Sequence, residues 1–174
     1  MGYAGPLREI AETSNGRLFI RSEAMYGCQF IDDNVTTPDE DVAAVCPNRK
    51  QRAVEVINTT RPHFVLIGNV YGDEKTDEHG RELSYADWAE SMRRMIARFR
   101  VSGARVVFLS PPPPDVTISE CYGKRSSTPA SCVGGVTDEW RAMAKIEQKI
   151  ASDTGGVWID SRPWFCNGSR QCPA

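Results

Sequence analysis

The feature that most constrains this chain is a continuous apolar run, Phe64–Ile67, which is followed directly by Gly68 and Asn69. A short run of this kind, with no polar alternation, is typical of a strand buried on both faces of a parallel sheet. Open α/β sheets place their ligands at the carboxyl ends of the strands, so Asn69 is predicted to lie at the ligand-binding edge. A buried strand followed by an ordinary turn is the alternative interpretation.

The rest of the chain alternates between strand and helix patterns. Apolar runs predict strands over residues 17–21, 63–70, 105–109 and 157–160. Apolar residues at helical spacing predict helices over residues 3–14, 48–60, 84–102 and 137–153. Ser84 and Thr137 suit helix N-caps. This alternation predicts one α/β domain with a three-layer α/β/α architecture and a parallel sheet. The polar segments 29–45 and 72–82 are predicted to be surface loops.

Length and charge exclude several classes of protein. A chain of 174 residues is long enough for one domain with a real core. The net charge is −2 and no basic patch stands out, so nucleic acid is not an expected partner. No apolar run approaches the roughly 20 residues that a membrane-spanning helix needs. Residues 1–6 lack the features of a signal peptide, so an export signal or membrane anchor is expected outside this chain.

Six cysteines form three neighbouring pairs in the sequence. Each pair bounds a polar, turn-rich segment outside the predicted strands and helices, which favours the disulfides Cys28–Cys46, Cys121–Cys132 and Cys166–Cys172. Six buried free thiols, as in a cytosolic protein, are the alternative. A zinc site is not expected, because no C-x-x-C occurs and neither histidine has ligand spacing to a cysteine.

Familiar catalytic motifs are absent from the sequence. It contains no G-x-S-x-G, no P-loop, no G-x-G-x-x-G after a strand and no H-E-x-x-H. Ser110 follows a predicted strand, but a serine nucleophile needs a base within hydrogen-bond reach, and His63 and His79 are the only histidines. His79 lies in a charged loop and His63 precedes a strand. The residues alone therefore give no convincing catalytic set.

Several blocks together resemble the extracytoplasmic SGNH domain at the carboxyl end of bacterial family 3 acyltransferases, membrane proteins that O-acylate cell-surface glycans. The matching blocks are Tyr26–Cys28, Cys46–Asn48, Arg61–Asn69, Val106–Cys132, Trp158–Asp160, Phe165–Cys166 and Cys172–Pro173. They span nearly the whole chain, and the placement of the cysteines is their most specific part. The resemblance implies a flavodoxin-like SGNH sheet.

The resemblance also implies that parts of the catalytic site are missing. That family uses a Gly-Asp-Ser block at the end of its first strand and an Asp-x-x-His block near its carboxyl end, and this sequence contains neither. Residues 1–174 are therefore expected to be an internal fragment of one SGNH-like domain, inactive alone, with the nucleophilic serine and the Asp-x-x-His outside it. The missing first strand would lie between 17–21 and 63–70 and leave an unpaired edge. A natural short relative without catalysis is the alternative.

Two positions correspond to oxyanion-stabilising residues of the family. Gly27 matches the second-block glycine, whose backbone N–H would stabilise a tetrahedral intermediate. Asn69 is the candidate for the third-block asparagine, although the family pattern is Gly-x-Asn-Asp and Asn69 here directly follows Gly68. For Gly27 the alternative is a turn glycine before a disulfide.

The implied function is a serine-dependent O-acyltransferase or esterase that moves an acyl group, expected to be acetyl, onto a cell-surface carbohydrate hydroxyl through an acyl-enzyme. The implied partners are an acyl donor and a carbohydrate acceptor, reached through the membrane acyltransferase portion of the parent, with no metal and no organic cofactor. The implied location is extracytoplasmic, with the parent in the plasma membrane.

Two alternatives remain open. A non-catalytic extracellular module would bind glycan or a partner protein, with Trp164, Tyr71 and Tyr122 as candidate sugar-stacking residues. A cytosolic flavodoxin-like protein would require that the cysteines are free thiols.

Overall fold

The computed structural model describes residues 3–37, 39–71, 75–113, 121, 123, 125–167 and 171–173. The α-helices are α1 (Ala4–Thr13), α2 (Glu40–Thr60), α3 (Tyr85–Arg98), α4 (Asp138–Thr154) and α5 (Arg162–Phe165), with 3-10 turns at Arg100–Ser102 and Pro129–Cys132. The strands are β1 (Phe64–Ile67), β2 (Lys75–Thr76), β3 (Glu82–Leu83), β4 (Arg105–Leu109), β5 (Val133–Gly135), β6 (Val157–Ile159) and β7 (Gln171–Pro173).

The centre of the fold is a three-stranded parallel sheet in the order β1-β4-β6. This arrangement confirms the predicted α/β class and its parallel sheet. β1 lies at one edge, and within the described residues no strand pairs with its outer side. The expectation that a first strand is missing beside this edge stays a prediction.

One face of this sheet, here called the helix face, packs against the long helices. In-register partners in a parallel sheet point to the same side, and alternate residues point to opposite sides. The helix face accordingly consists of Val65, Ile67, Val106, Phe108 and Trp158. These residues join one hydrophobic cluster with side chains from α2, α3 and α4, among them Val54, Trp88, Met92, Met143 and Ile150. The helix face thus holds the main core.

The opposite face, here called the open face, is much less covered. It consists of Phe64, Leu66, Arg105, Val107, Leu109, Val157 and Ile159. Phe64 is 62% exposed and Leu66 is 41% exposed. Helix α1 has no buried residue. Burial on the open face is concentrated at its carboxyl end, where Leu109 is buried.

Helices α3 and α4 form where their caps predict. Ser84 and Asp87 make a reciprocal capping box at the start of α3, in which each side chain accepts from the backbone N–H of the other residue. The Thr137 side chain accepts from the N–H of Trp140 at the start of α4. Gly155 ends α4 with a φ of 70°, a left-handed conformation that favours glycine.

The predicted strand over 17–21 is wrong. Residues 18–25 have no regular secondary structure, and Phe19 is 93% exposed. A β-propensity is realised only when a neighbouring strand supplies hydrogen bonds and side-chain contacts. The described residues offer no such neighbour to this segment.

The predicted start of α2 is also wrong. The helix begins at Glu40 rather than near Asn48, because the Asp39 carboxylate accepts from the N–H of Val42 and caps the first turn. Glu40 and Asp41 then stabilise the positive end of the helix dipole. Pro47 lies inside α2 without ending it. Part of the predicted 29–45 loop is therefore helical.

The remainder of that loop is fixed by a buried lysine. Lys50 of α2 is only 3% exposed. Its ammonium donates to the backbone oxygens of Asp32 (3.3 Å) and Asp33 (2.9 Å) and to Oδ1 of Asn34 (2.9 Å). Burial is the main cause that lowers the pKa of Lys50. Segment 32–34 therefore wraps around a cation that belongs to α2.

Two small antiparallel pairs complete the described fold. β2 pairs with β3 inside the predicted 72–82 loop, and β5 pairs with β7. All three expected disulfides are present, Cys28–Cys46, Cys121–Cys132 and Cys166–Cys172. None of the helices in the described part of the chain combines the length and apolar character needed to cross a membrane.

Candidate functional site

The carboxyl ends of the three parallel strands bring polar side chains to one edge of the sheet. Asn69 follows β1, Ser110 follows β4, and Asp160 and Ser161 follow β6. Asn69, Ser110 and Ser161 are all buried, with exposed fractions of 6%, 0% and 0%. Buried polar groups need hydrogen-bond partners, so the partners show how this edge is organised.

The carboxylate of Glu147, which projects from α4 and is 0% exposed, is a further buried polar group at this edge. Its Oε1 accepts a hydrogen bond from Nδ2 of Asn69 at 2.7 Å. Its Oε2 accepts a short hydrogen bond from the hydroxyl of Tyr71. The same Tyr71 hydroxyl accepts from Nε1 of Trp158 at 3.3 Å. Helix α4 is thereby connected through one network to the chain after β1 and to β6.

Burial dominates the electrostatics of this network. It raises the pKa of Glu147 to about 7, because the low-dielectric interior disfavours the ionised carboxylate. The hydrogen bonds from Asn69 and Tyr71 act in the opposite direction. The pKa of Tyr71 is also raised, first by burial and then by the neighbouring Glu147. Both groups therefore favour their neutral forms more than they would in water.

Aromatic rings and one ion pair surround the network. The Trp140 ring lies 5.5 Å from the Tyr71 ring and 6.4 Å from the Trp158 ring, centroid to centroid. The Arg162 guanidinium lies 5.2 Å from the centre of the Trp140 ring. Hydrogen bonds from the Arg162 side chain are the main cause that holds the pKa of Asp160 below its ordinary value. The rings shield the network from water.

Ser110 is part of a second, separate set of hydrogen bonds. Its Oγ donates to Oγ of Ser161 at 3.0 Å and accepts from the backbone N–H of Ser161 at 2.9 Å. Oγ of Ser161 in turn donates to the carbonyl of Pro111. The hydroxyl of Tyr3 donates to the carbonyl of Ser110 at 2.8 Å. These bonds join the ends of β4 and β6, and full burial keeps the Ser110 hydroxyl away from any substrate.

A family model described as SGNH domain (fused to AT3 domains) matches residues 1–174. The chain belongs to the SGNH domain family. This membership agrees with the resemblance inferred from the cysteine and strand blocks. No curated protein and no solved structure matched the chain in the other two comparisons. Fusion to AT3 domains associates the SGNH domain with acyltransferases.

Gly27 of the SGNH domain lies in a tight turn next to the first disulfide. The N–H of Cys28 donates to the carbonyl of Met25 at 2.9 Å, and Gly27 has a φ of 74° at the third position of this turn. A β-carbon at Gly27 would come within 2.5 Å of Cγ1 of Val42 in α2. Turn geometry and close packing therefore account for glycine at this position.

The two oxyanion candidates of the SGNH domain have different neighbours in this structure. Gly27 contacts α2 through Val42, whereas Asn69 binds Glu147 of α4. An oxyanion role for either residue stays a prediction. The histidines do not join the Asn69 network: the imidazole of His79 is 82% exposed and lies 3.8 Å from a Glu78 carboxylate oxygen. No cluster of metal-ligating side chains occurs in the part of the chain that the structure describes.

The candidate sugar-stacking residues also differ from one another. Tyr71 is largely enclosed, because its ring packs on Trp140 and its hydroxyl binds Glu147. Trp164 is 59% exposed, and its ring meets that of Tyr3 edge-on at 6.3 Å. Tyr122 lies outside the described residues. Of the two described candidates, Trp164 is the one that presents its ring to solvent.

Sequence reasoning missed Glu147, which is the centre of the Asn69 network. A signal for it existed, because Glu147 is four residues after Met143 and three before Ile150, both of which are buried on α4. A carboxylate at that spacing falls on the apolar stripe of the helix rather than on its solvent side. An acidic residue in such a stripe requires buried partners.

Proposed function

We propose that this SGNH domain is the extracytoplasmic part of a membrane acyltransferase that transfers an acyl group, acetyl in the first instance, to hydroxyls of cell-surface carbohydrate. The observation that carries the proposal is the match of the whole chain to SGNH domains fused to AT3 domains. The three disulfides support a location outside the cytoplasm, because such bonds persist in oxidising compartments.

The proposed catalytic serine and the Asp-x-x-His block belong to parts of the parent protein outside residues 1–174. The open edge of β1 supports this proposal, since a further strand has hydrogen-bonding groups available there. A strand paired with β1 would end next to Asn69, at the carboxyl edge of the sheet. A serine in that position meets the polar groups of this edge.

The proposed reaction follows the serine acyl-enzyme route. Histidine removes the serine proton, the serine oxygen attacks the acyl carbonyl, and the resulting oxyanion is stabilised by N–H donors, for which Gly27 and Asn69 are the candidates. Collapse of this intermediate expels the donor's leaving group, which takes the proton from histidine. The carbohydrate hydroxyl then attacks the acyl-enzyme by the same steps, and the serine is regenerated.

The test uses the complete gene and its membrane-bound product. We expect its reading frame to encode Gly-Asp-Ser before and Asp-x-x-His after the region described here. Replacing that serine by alanine should abolish ester-linked acetyl groups on cell-surface carbohydrate while the protein remains in the membrane. A complete reading frame without these blocks, or unchanged acetyl content in the serine variant, would overturn the enzymatic proposal.

The second candidate function is a non-catalytic module that binds glycan. The exposed Trp164 ring beside Tyr3 favours it, because exposed aromatic rings supply rigid contact area for a ligand. Glycan binding that Trp164→Ala removes, in a full-length protein that hydrolyses no acetyl ester, would support this candidate. Ester hydrolysis that depends on the Gly-Asp-Ser serine would exclude it.

A further inference from the structure

The Glu147 carboxylate is an unusual choice for its position in the fold. It is completely buried, and it lies on the side of α4 that faces Asn69 and Tyr71. Removing a carboxylate from water is costly, and apolar side chains of similar volume often replace buried charged groups with no loss of stability. Stability alone therefore gives little reason for an acidic residue here. Its hydrogen bonds point to a different reason.

Above a pH of about 7 the Glu147 carboxyl is ionised, and in that form it accepts hydrogen bonds and donates none. Because Oε1 of Glu147 lies 2.7 Å from the Asn69 amide group, the atom that faces it must be Nδ2 rather than Oδ1. The carboxylate thus decides which way round the Asn69 amide is held, and it leaves the second N–H of Nδ2 pointing away from Glu147. Its other oxygen holds the Tyr71 hydroxyl in the same manner.

We propose that Glu147 is a positioning residue that orients the Asn69 side chain so that a free N–H of Nδ2 is presented at the carboxyl edge of the sheet. The inference rests on the proposed function, in which Asn69 is a donor to the oxyanion. Glu147 does not touch the substrate. It acts only by fixing which atoms of Asn69 point towards the reacting carbonyl.

The surroundings make this orientation rigid. Trp158 donates to the Tyr71 hydroxyl at 3.3 Å, so Tyr71 is committed to donating its own proton to Glu147. The charged groups on the far side of the aromatic rings, Asp160 and Arg162, pair with each other at 2.6 Å. Because these neighbouring groups already have partners, the Glu147 carboxylate retains its hydrogen bonds from Asn69 and Tyr71. Replacing one carboxylate oxygen by an NH₂ group would set two donors against each other.

The first test measures the coupling of Glu147 to Asn69 without any reaction. The probe is the side-chain NH₂ of Asn69, followed by ¹H–¹⁵N NMR in the chain described here as the pH is varied. In the unmodified chain we expect the two N–H shifts to follow one ionisation, and Glu147→Gln should remove that dependence. The matched control is Glu139→Gln, an exposed residue of the same helix, which should leave the dependence intact. If the pH dependence of the Asn69 N–H chemical shifts were the same with and without Glu147→Gln, the proposal would be overturned, whatever the activity of the protein.

The second test is kinetic and uses the full-length membrane protein with p-nitrophenyl acetate as the probe. Asn69→Ala should lower kcat roughly 100-fold or more, as removal of an oxyanion donor does. Glu147→Gln should lower kcat about 10-fold or more with KM within about twofold, because the isosteric amide keeps the shape and loses the orientation. Glu139→Gln should retain the unmodified kcat. The double variant Glu147→Gln with Asn69→Ala should be no slower than Asn69→Ala alone.

The outcomes separate the two proposals. A full-length protein that hydrolyses no ester overturns the proposed function, and the positioning role with it. An active enzyme in which Asn69→Ala loses activity but Glu147→Gln keeps the unmodified kcat overturns the positioning role alone. Independent, multiplicative losses in the double variant also overturn it, because they would show that Glu147 does not act through Asn69.

Discussion

The helix face and the open face of the central sheet differ in how they are covered, although the same three strands form both. On the helix face Phe108 is 0% exposed and packs with residues of α2, α3 and α4, whereas on the open face Phe64 is 62% exposed. Burial of apolar surface is the main favourable term in folding. The comparison indicates that one face supplies the stability of this chain and that the other has surface available for further packing.

The largest expected effect compares two phenylalanines on neighbouring strands. Phe108→Ala should lower the free energy of unfolding by about 3–5 kcal/mol, because it opens a cavity in the core. Phe64→Ala should cost less than about 1 kcal/mol, since most of its ring is already in water. Urea unfolding of the two variants measures both values. Equal losses would show that the open face is covered in solution.

The second expected effect concerns the disulfide Cys28–Cys46, which joins the segment before α2 to α2 itself. Cys28 and Cys46 are 18 residues apart. Replacing both by serine should lower the stability by about 3 kcal/mol on the loop-entropy estimate. Cys166 and Cys172 are 6 residues apart, and the same estimate gives about 2 kcal/mol for that pair. Thermal unfolding of the two double variants should rank them in this order. The reverse order would mean that the terminal pair holds more of the packed structure than its short loop suggests.

The third expected effect concerns the titration of the buried Glu147 of α4. Burial raises the pKa of Glu147 from 4.5 to about 7, so between these pH values the native state keeps a proton that the unfolded chain releases. The free energy of unfolding should therefore fall as the pH rises through this window, by roughly 3 kcal/mol in total from this one group.

Glu147→Gln should remove that fall, because an amide does not titrate. The measurement is the difference in unfolding free energy between the unmodified chain and the variant, from pH 4 to pH 8. Glu139→Gln serves as the exposed control and should leave the slope unchanged. A constant difference across this range would contradict the assignment of a raised pKa to Glu147.

The smallest expected effect concerns the N-cap of α2. Asp39→Ala removes the carboxylate that accepts from Val42 at 3.2 Å and should cost about 1 kcal/mol. Asp39→Asn keeps an oxygen acceptor and should restore most of that loss. Urea unfolding of both variants measures the difference. Equal stability of the alanine and asparagine variants would show that the cap does not hold the start of α2.

Local sequence signals, namely helix caps and apolar runs, predicted the helices and strands that depend mainly on local sequence. Caps at Ser84 and Thr137 placed the starts of α3 and α4 to within a few residues, and the apolar runs placed β1, β4 and β6. The start of α2 differs from the prediction because Asp39 lies in a run of acidic residues typical of a surface loop. An acidic residue followed by carboxylates is also typical of a helix N-terminus. The predicted strand over 17–21 failed because strand formation depends on a partner, which no local pattern provides.

The candidate site was predicted only in part for the same reason. The position of Asn69 at the end of a buried strand follows from the local sequence. Its partner Glu147 is 78 residues away along the chain, and only the packing of α4 on the sheet brings the two together. In a single sequence, a buried carboxylate is visible only as a charge at an apolar position of a helical stripe. The sequence also does not distinguish the two roles considered for Gly27, because a turn glycine and an oxyanion glycine look alike in sequence.

The lysine at the centre of the 32–34 loop has a consequence for how that loop keeps its shape. Converging backbone and amide oxygens of this kind are also what a calcium ion uses as ligands. In this chain the Lys50 ammonium occupies that position, so the cation is part of the polypeptide and arrives whenever the chain folds. The loop should therefore hold the same conformation in EDTA as in millimolar calcium. Its order should be independent of the divalent-cation concentration around the protein.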